Sequence, residues 1–185
     1  MTNPAPDLPL GLAEYLAFER RSSDKHEFVD GQVYAMAGAR YAHNRIVANI
    51  VRQLGNALSG SHCVTLPSDM KVRTPSSRVY YPDASVVCGP PSFHDEQEDV
   101  LLNPSVIFEA LSDSTERIDR GEKFGAYTAL PSLTDYVLVA SNRTRVEHFS
   151  RSRDWRALVV GAGERLRLET LGIDLAIDAL YELVF

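Results

Sequence analysis

The run Ser105-Val106-Ile107-Phe108-Glu109-Ala110-Leu111 constrains the fold more than any other part of the chain. It is almost wholly apolar, opens after Pro104 and reads as a buried strand. One glutamate interrupts it. A charge inside such a strand is costly unless it is paired, hydrogen-bonded or bound to metal. Glu109 is therefore the sharpest clue to function.

The elements around this strand alternate in type. Leu12 to Arg21 has helical spacing. Two short apolar runs, His26 to Val29 and Gln32 to Met36, flank Asp30-Gly31 and predict a hairpin. Tyr41 to Ser59 is a long amphipathic helix: His43, Ile46, Val47, Ile50, Val51, Leu54 and Leu58 form one stripe, and Gly60 stops it. Strands follow at about 62–66, 69–73 and 83–88. Residues 89–103 are polar and acidic and read as a mobile surface loop. Ser112 to Arg117 is a turn, Asp119 to Leu130 a helix closed by Pro131, and Thr134 to Ala140 a strand. Further strands are expected at 143–150 and 154–160, and a β pattern runs on to Ile177. The mixture predicts an α/β (α+β) domain built on a mixed sheet.

Composition limits what such a domain can be. With 185 residues, 44% hydrophobic and 24% charged, the chain suits a single domain over 1–185 that needs no staples. Residues 1–11, rich in Pro and small side chains, read as a flexible arm. No apolar run reaches the roughly 20 residues of a membrane helix, and the first residues do not resemble a secretory signal. Cys63 and Cys88 lie far apart in sequence and read as reduced thiols of a cytoplasmic protein. The net charge of −6 excludes bulk coating of nucleic acid, though not a local contact. No zinc-ligand spacing, phosphate-binding glycine loop or Gly-x-Ser-x-Gly elbow is present, and Ser112 and Ser114 lack a matched histidine.

The residue types that remain suit phosphodiester hydrolysis. Asp83 stands in Tyr81-Pro82-Asp83 at the start of a strand, Glu109 lies inside another, and Lys123 lies on the following helix. Two carboxylates can hold Mg²⁺ through oxygen, and the bound metal lowers the pKa of a water. A nearby lysine can neutralise developing charge. Each residue also has a plainer reading. Asp83 could cap a turn, Glu109 could pair with an arginine, and Lys123 could form a surface pair with Asp119 four residues earlier. Asp69 and Lys71 alternate with Met70 and Val72 and read as strand-face residues pointing away from the core. The arginines at 143, 145, 151, 153 and 156 form the one basic region and read as a solvated hairpin, with phosphate contact as the alternative.

Taken in order, Tyr81-Pro82-Asp83, then PSVIFEALSDS over 104–114, then Asp119-Arg120-x-x-Lys123-x-x-x-Tyr127 resemble the Uma2-like family of the PD-(D/E)XK nuclease superfamily. The stretch EFVDGQVYAMAG over 27–38, His43, and Ser68 to Val72 also match. The resemblance covers about residues 12–150. It implies a restriction-endonuclease-like core and Mg²⁺-dependent cleavage of DNA, with Mn²⁺ as a substitute. Asp83 and Glu109 would be the metal ligands and Lys123 the catalytic lysine. Glu27 and His43 are additional candidates. One departure stands out: the motif places lysine two residues after the acid, and here that residue is Leu111. The competing reading is a catalytically inactive scaffold of the same fold that binds nucleic acid or protein. A homodimer would suit a nuclease that cuts both strands.

Overall fold

The computed structural model describes residues 9–112 and 115–185. Most of the expected arm, and Ser114, lie outside them. The end of the arm is docked: the Leu10 amide donates to the Gly31 carbonyl at 2.8 Å. Helix α1 (Leu12–Glu19) leads into the hairpin β1 (His26–Val29) and β2 (Gln32–Ala35). Its turn carries positive φ at Asp30 (50°) and Gly31 (87°). Glycine adopts that conformation without a Cβ penalty, which is why Asp-Gly marks the hairpin.

Helix α2 (Tyr41–Ala57) precedes the strands β3 (Cys63–Pro67), β4 (Lys71–Arg73), β5 (Val79–Tyr80), β6 (Ala84–Cys88), β7 (Val100–Leu101) and β8 (Val106–Leu111). A helical segment then runs through α3 (Glu116–Ile118), a π-helical turn (Asp119–Lys123) and α4 (Phe124–Thr128). Strands β9 (Asp135–Ala140), β10 (Arg145–Ser150) and β11 (Ala157–Gly161) follow. The chain closes with the pair β12 (Arg165–Leu168) and β13 (Ile173–Ala176) and the short α5 (Ile177–Leu180).

The central sheet has six strands in the order β11-β10-β9-β8-β6-β3. It is mixed: β8 and β9 are parallel, joined by the helical crossover, and the other neighbours are antiparallel. Strand alternation divides its residues between two cores. Phe108, Ala110, Ala84 and Val86 pack against Ile46, Ile50, Leu54 and Leu58, the buried stripe of α2. Ile107, Leu111 and Val87 pack on the other side with Ala126, Tyr127 and Leu130 of the crossover. Glu109 shares the second face. A five-stranded sheet, β2-β1-β5-β4-β7, adjoins the central one and supports the hairpin.

Four expectations are corrected. Cys63 and Cys88 are not free thiols: they stand opposite each other on β3 and β6 and form a disulfide. Antiparallel pairing brings them together across a sequence separation of 25, so sequence distance was no guide. The 89–103 loop is anchored rather than loose. Val100 and Leu101 are buried as a strand beside β4, and Arg20 clamps Asp95 at 2.8 Å and Asp99 at 2.7 Å. Lys71 turns inward, buried and 3.0 Å from Asp99, while Asp69 pairs with Lys25. The arginine region is solvated only in part: Arg143 and Arg156 are exposed, but Arg145 bonds to Glu147 at 3.0 Å, Arg151 to the carbonyls of Leu130 and Leu133, and Arg153 to the carbonyl of His148.

Candidate active site

Asp83 and Glu109 meet because their strands are antiparallel neighbours. Ala84 pairs with Phe108, and one register step further Asp83 faces Glu109. Two hydrogen bonds cross between them: the Asp83 amide donates to Glu109 Oε2 at 3.3 Å, and the Ala110 amide donates to Asp83 Oδ2 at 2.7 Å. Pro82 removes a backbone donor just ahead of the strand, and Asp83 stands one residue before β6, its amide bonded to the Glu109 side chain.

Lys123 enters from the crossover helix. Its Nζ lies 2.9 Å from Glu27 Oε1, 3.3 Å from Glu109 Oε1 and 3.5 Å from Asp119 Oδ1. The Tyr127 hydroxyl, one turn further on, donates to Glu109 Oε1 at 3.3 Å. These contacts converge at a π-helical turn, a rare irregularity that recurs at functional sites. The surface pair with Asp119 expected as the plain alternative exists as a contact but is not on the surface, since both residues are buried. The Glu27 carboxylate, from β1, also accepts from the Tyr81 amide at 3.3 Å. His43 stands near the start of α2 and places Nε2 3.2 Å from Asp83 Oδ2.

The site is therefore layered. The side chains of Asp83, Glu27 and His43 are 16%, 15% and 17% exposed and form the solvent-facing rim, whereas those of Glu109, Lys123 and Asp119 are 4%, 7% and 3% exposed and lie beneath. Three carboxylates, Glu27, Glu109 and Asp119, share one ammonium. Burial raises Glu109 well above the usual carboxylate range, with Asp119, Asp83 and Glu27 adding to the effect against Lys123. Burial also raises Asp119. Burial alone would lower Lys123, but Glu109, Glu27 and Asp119 outweigh it and hold the ammonium firmly protonated. The hydrogen bond to Asp83 raises His43, against its burial. Burial raises the Tyr127 hydroxyl, so it remains a donor.

This donor set fits a hard divalent cation. Mg²⁺ takes one or two carboxylates and keeps several waters, and Asp83 at the rim and Glu109 beneath it offer two oxygen-only ligands. The surplus of carboxylate over ammonium is the charge such an ion would offset. The fit rests on two carboxylates rather than a closed chelate. Among the described residues, the cluster of three ligand-type side chains with atoms all within 4.8 Å is His62, Cys63 and Cys88, and there the two sulfurs are bonded to each other.

All five residues singled out in the sequence gather here. Asp119 was missed as a member. Its signal was the i,i+4 spacing to Lys123, which reads equally as a surface pair. Tyr127 was visible as a residue of the same helix face but carried no sign of its bond to Glu109.

The profile of one family, described as "Uma2: Putative restriction endonuclease", matches residues 12–179. The chain belongs to the Uma2 family. Two relatives of this Uma2 chain come from Synechocystis sp. One, the uncharacterized protein slr1290, is 37% identical over 180 residues, covering 96% of this chain and 94% of its own. The other, the uncharacterized protein sll1609, is 35% identical over 162 residues, covering 86% and 92%. A crystal structure described as a putative nuclease belonging to DUF820, from Anabaena variabilis, superposes with a TM-score of 0.79. It covers 96% of this chain and 100% of its own at 13% sequence identity. That likeness establishes the restriction-endonuclease-like fold for this Uma2 chain. No helix among its described residues is long and apolar enough to cross a membrane.

Proposed function

We propose that this Uma2 chain acts as a single restriction-endonuclease-like domain and is a Mg²⁺-dependent endonuclease that hydrolyses phosphodiester bonds in DNA, with Mn²⁺ as a substitute. The observation that carries the reading is Glu109. It is a buried strand glutamate bonded to the Asp83 amide and to Lys123, in a group with more carboxylates than cations. A purely structural ion pair would balance its charges.

Asp83 and Glu109 would hold the metal, which when bound polarises the phosphate and lowers the pKa of a water. Lys123 is held protonated, so it serves as a fixed positive charge for the phosphorane-like transition state rather than as a base. Glu27 and Asp119 orient that ammonium, and Tyr127 and the Asp83 amide fix the Glu109 carboxylate. His43 orients Asp83 from the rim. The departure at Leu111 is consistent with this arrangement. Leu111 is buried in the crossover core, and the ammonium reaches Glu109 from the helix instead.

The second reading, an inactive scaffold of the same fold, draws on the net charge of −6, which weakens attraction to a phosphate backbone. A homodimer and a cytoplasmic site of action belong to the nuclease reading. The Cys63–Cys88 disulfide weighs against the cytoplasmic site of action, since disulfides are rare in reducing compartments.

The deciding experiment incubates plasmid and single-stranded DNA with wild type, Asp83→Ala, Glu109→Ala and Lys123→Ala in Mg²⁺, Mn²⁺ or EDTA. Metal-dependent cleavage lost in all three variants is expected. Cleavage that persists in the Asp83 and Glu109 variants, or none from wild type, would overturn the reading.

A further inference from the structure

Strand β2 is the edge of the five-stranded sheet, and in its register with β1 Tyr34 stands directly opposite Glu27. Directly opposed residues of an antiparallel pair project from the same face with Cβ atoms about 5 Å apart. Tyr34 therefore shares a sheet face with the glutamate that holds Lys123. Tyr34 is 55% exposed, and its hydroxyl makes no hydrogen bond to another described residue. On the other side of Glu27, Tyr80 is unavailable, since it is buried against Tyr127 and its hydroxyl donates to Glu122 at 2.9 Å. Met36 continues the pairing, its amide donating a hydrogen bond to the Lys25 carbonyl, and is also exposed, extending the apolar strip past Tyr34.

An exposed aromatic ring on a sheet edge is usually blunted or covered, because it invites association. Here it stands across the hairpin from Glu27 of an acidic site, on a chain of net charge −6 whose attraction to phosphates is weak. Base stacking is the interaction that binds nucleic acid without charge, and an aromatic ring accepts any base. Within a duplex both faces of a base are already stacked, so a ring held on a rigid strand can reach only a base that is unpaired.

We infer that Tyr34 is a nucleobase-stacking subsite flanking the cleaved bond, and that the substrate presents an unpaired base there: a single strand, a flap or a frayed end rather than an intact duplex. This rests on the nuclease reading above. The subsite tolerates any base, so it sets structure preference and not sequence preference.

The test compares kcat/KM on a labelled single-stranded oligonucleotide with kcat/KM on the blunt duplex of the same sequence, for wild type, Tyr34→Ala and Tyr34→Phe. The ratio of single-strand to duplex kcat/KM is expected to fall about tenfold in Tyr34→Ala, the size of one lost base stack, and to be kept in Tyr34→Phe. The exposed position leaves the melting temperature of both variants close to wild type. A wild type active on either substrate whose ratio is unmoved by Tyr34→Ala would overturn the inference and leave the nuclease reading standing. A wild type inert on both would overturn the two together.

Discussion

The ammonium of Lys123 lies closer to Glu27, at 2.9 Å, than to Glu109, at 3.3 Å. The lysine is thus a clasp between the hairpin of the smaller sheet and the central strand β8, and the site exists only where the two sheets meet. Glu27, the least certain candidate from sequence because it sits in a hairpin, is the closest partner the lysine has.

Replacing that ammonium is expected to be costly. Lys123→Met keeps the side-chain length and leaves Glu109, Asp119 and Glu27 without their shared cation. Breaking a buried ion pair by removing one partner costs roughly 3 kcal/mol or more. Urea denaturation should show a lower midpoint with an unchanged slope. A midpoint equal to wild type would mean that Lys123 does not compensate the buried carboxylates.

Glu109→Gln is expected to do the opposite in the absence of metal. The folded-state pKa of Glu109 is raised, so the folded protein binds its proton more tightly than the unfolded chain does. Its favourable contribution is complete below the ordinary glutamate range and is lost as pH rises towards the folded value. In EDTA the melting temperature of Glu109→Gln should therefore exceed that of wild type by a margin that widens with pH above that range. Mg²⁺ should raise the wild-type melting temperature and leave the variant's unmoved. A margin that narrows with pH would show that Glu109 is ionised in the folded metal-free protein.

Asp99 predicts an acid limb. Its hydrogen bond with Arg20, aided by Lys71, lowers its pKa to about 2. The folded value is depressed, so the stabilisation is present above the ordinary aspartate range and disappears as pH falls through about 2. Allowing for solvent screening of this partly exposed group, Asp99→Asn should cost about 1 kcal/mol at neutral pH. The difference from wild type should shrink between pH about 4 and about 2. Parallel stability curves across that window would contradict the assignment.

The disulfide predicts a redox effect on stability. Cys63–Cys88 closes a loop with a sequence separation of 25. Loop-closure entropy for that length corresponds to about 3 kcal/mol. Thermal unfolding with and without a thiol reductant, and of the Cys63→Ser, Cys88→Ser double variant, should show a matching loss. No change on reduction would mean the bridge is absent from the protein in solution.

Much of this molecule was legible in its residues because burial leaves periodic traces. The stripe of α2, the Asp-Gly hairpin and the apolar run of β8 each write their environment into a repeat of apolar positions, and Glu109 is conspicuous because it breaks one. Strands β5 and β7 were invisible: two residues are too few to show alternation. Asp95 and Asp99 looked like a solvated loop because their partner, Arg20, is far away in sequence. Lys71 read as surface for the same reason, since a buried lysine is betrayed only by its ion pair. The cysteines were misread because a cross-strand contact depends on sheet order, which no local pattern encodes. Asp119 and Lys123 were seen as a pair, but only the depth of the helix in the crossover core makes them interior.

The π-helical turn from Asp119 to Lys123 sets how the helix bearing Asp119 and Lys123 is phased against the sheet. Each residue of a helix turns its successors by about 100°. Deleting one residue in this turn would leave every acid, the lysine and the tyrosine present in the chain, yet swing Asp119 away from the face that Lys123 and Tyr127 share. The charged cluster is thus encoded in spacing as well as in residue identity, and a gap of a single residue at this turn is enough to separate a chain that carries all the charged residues from one that can assemble them.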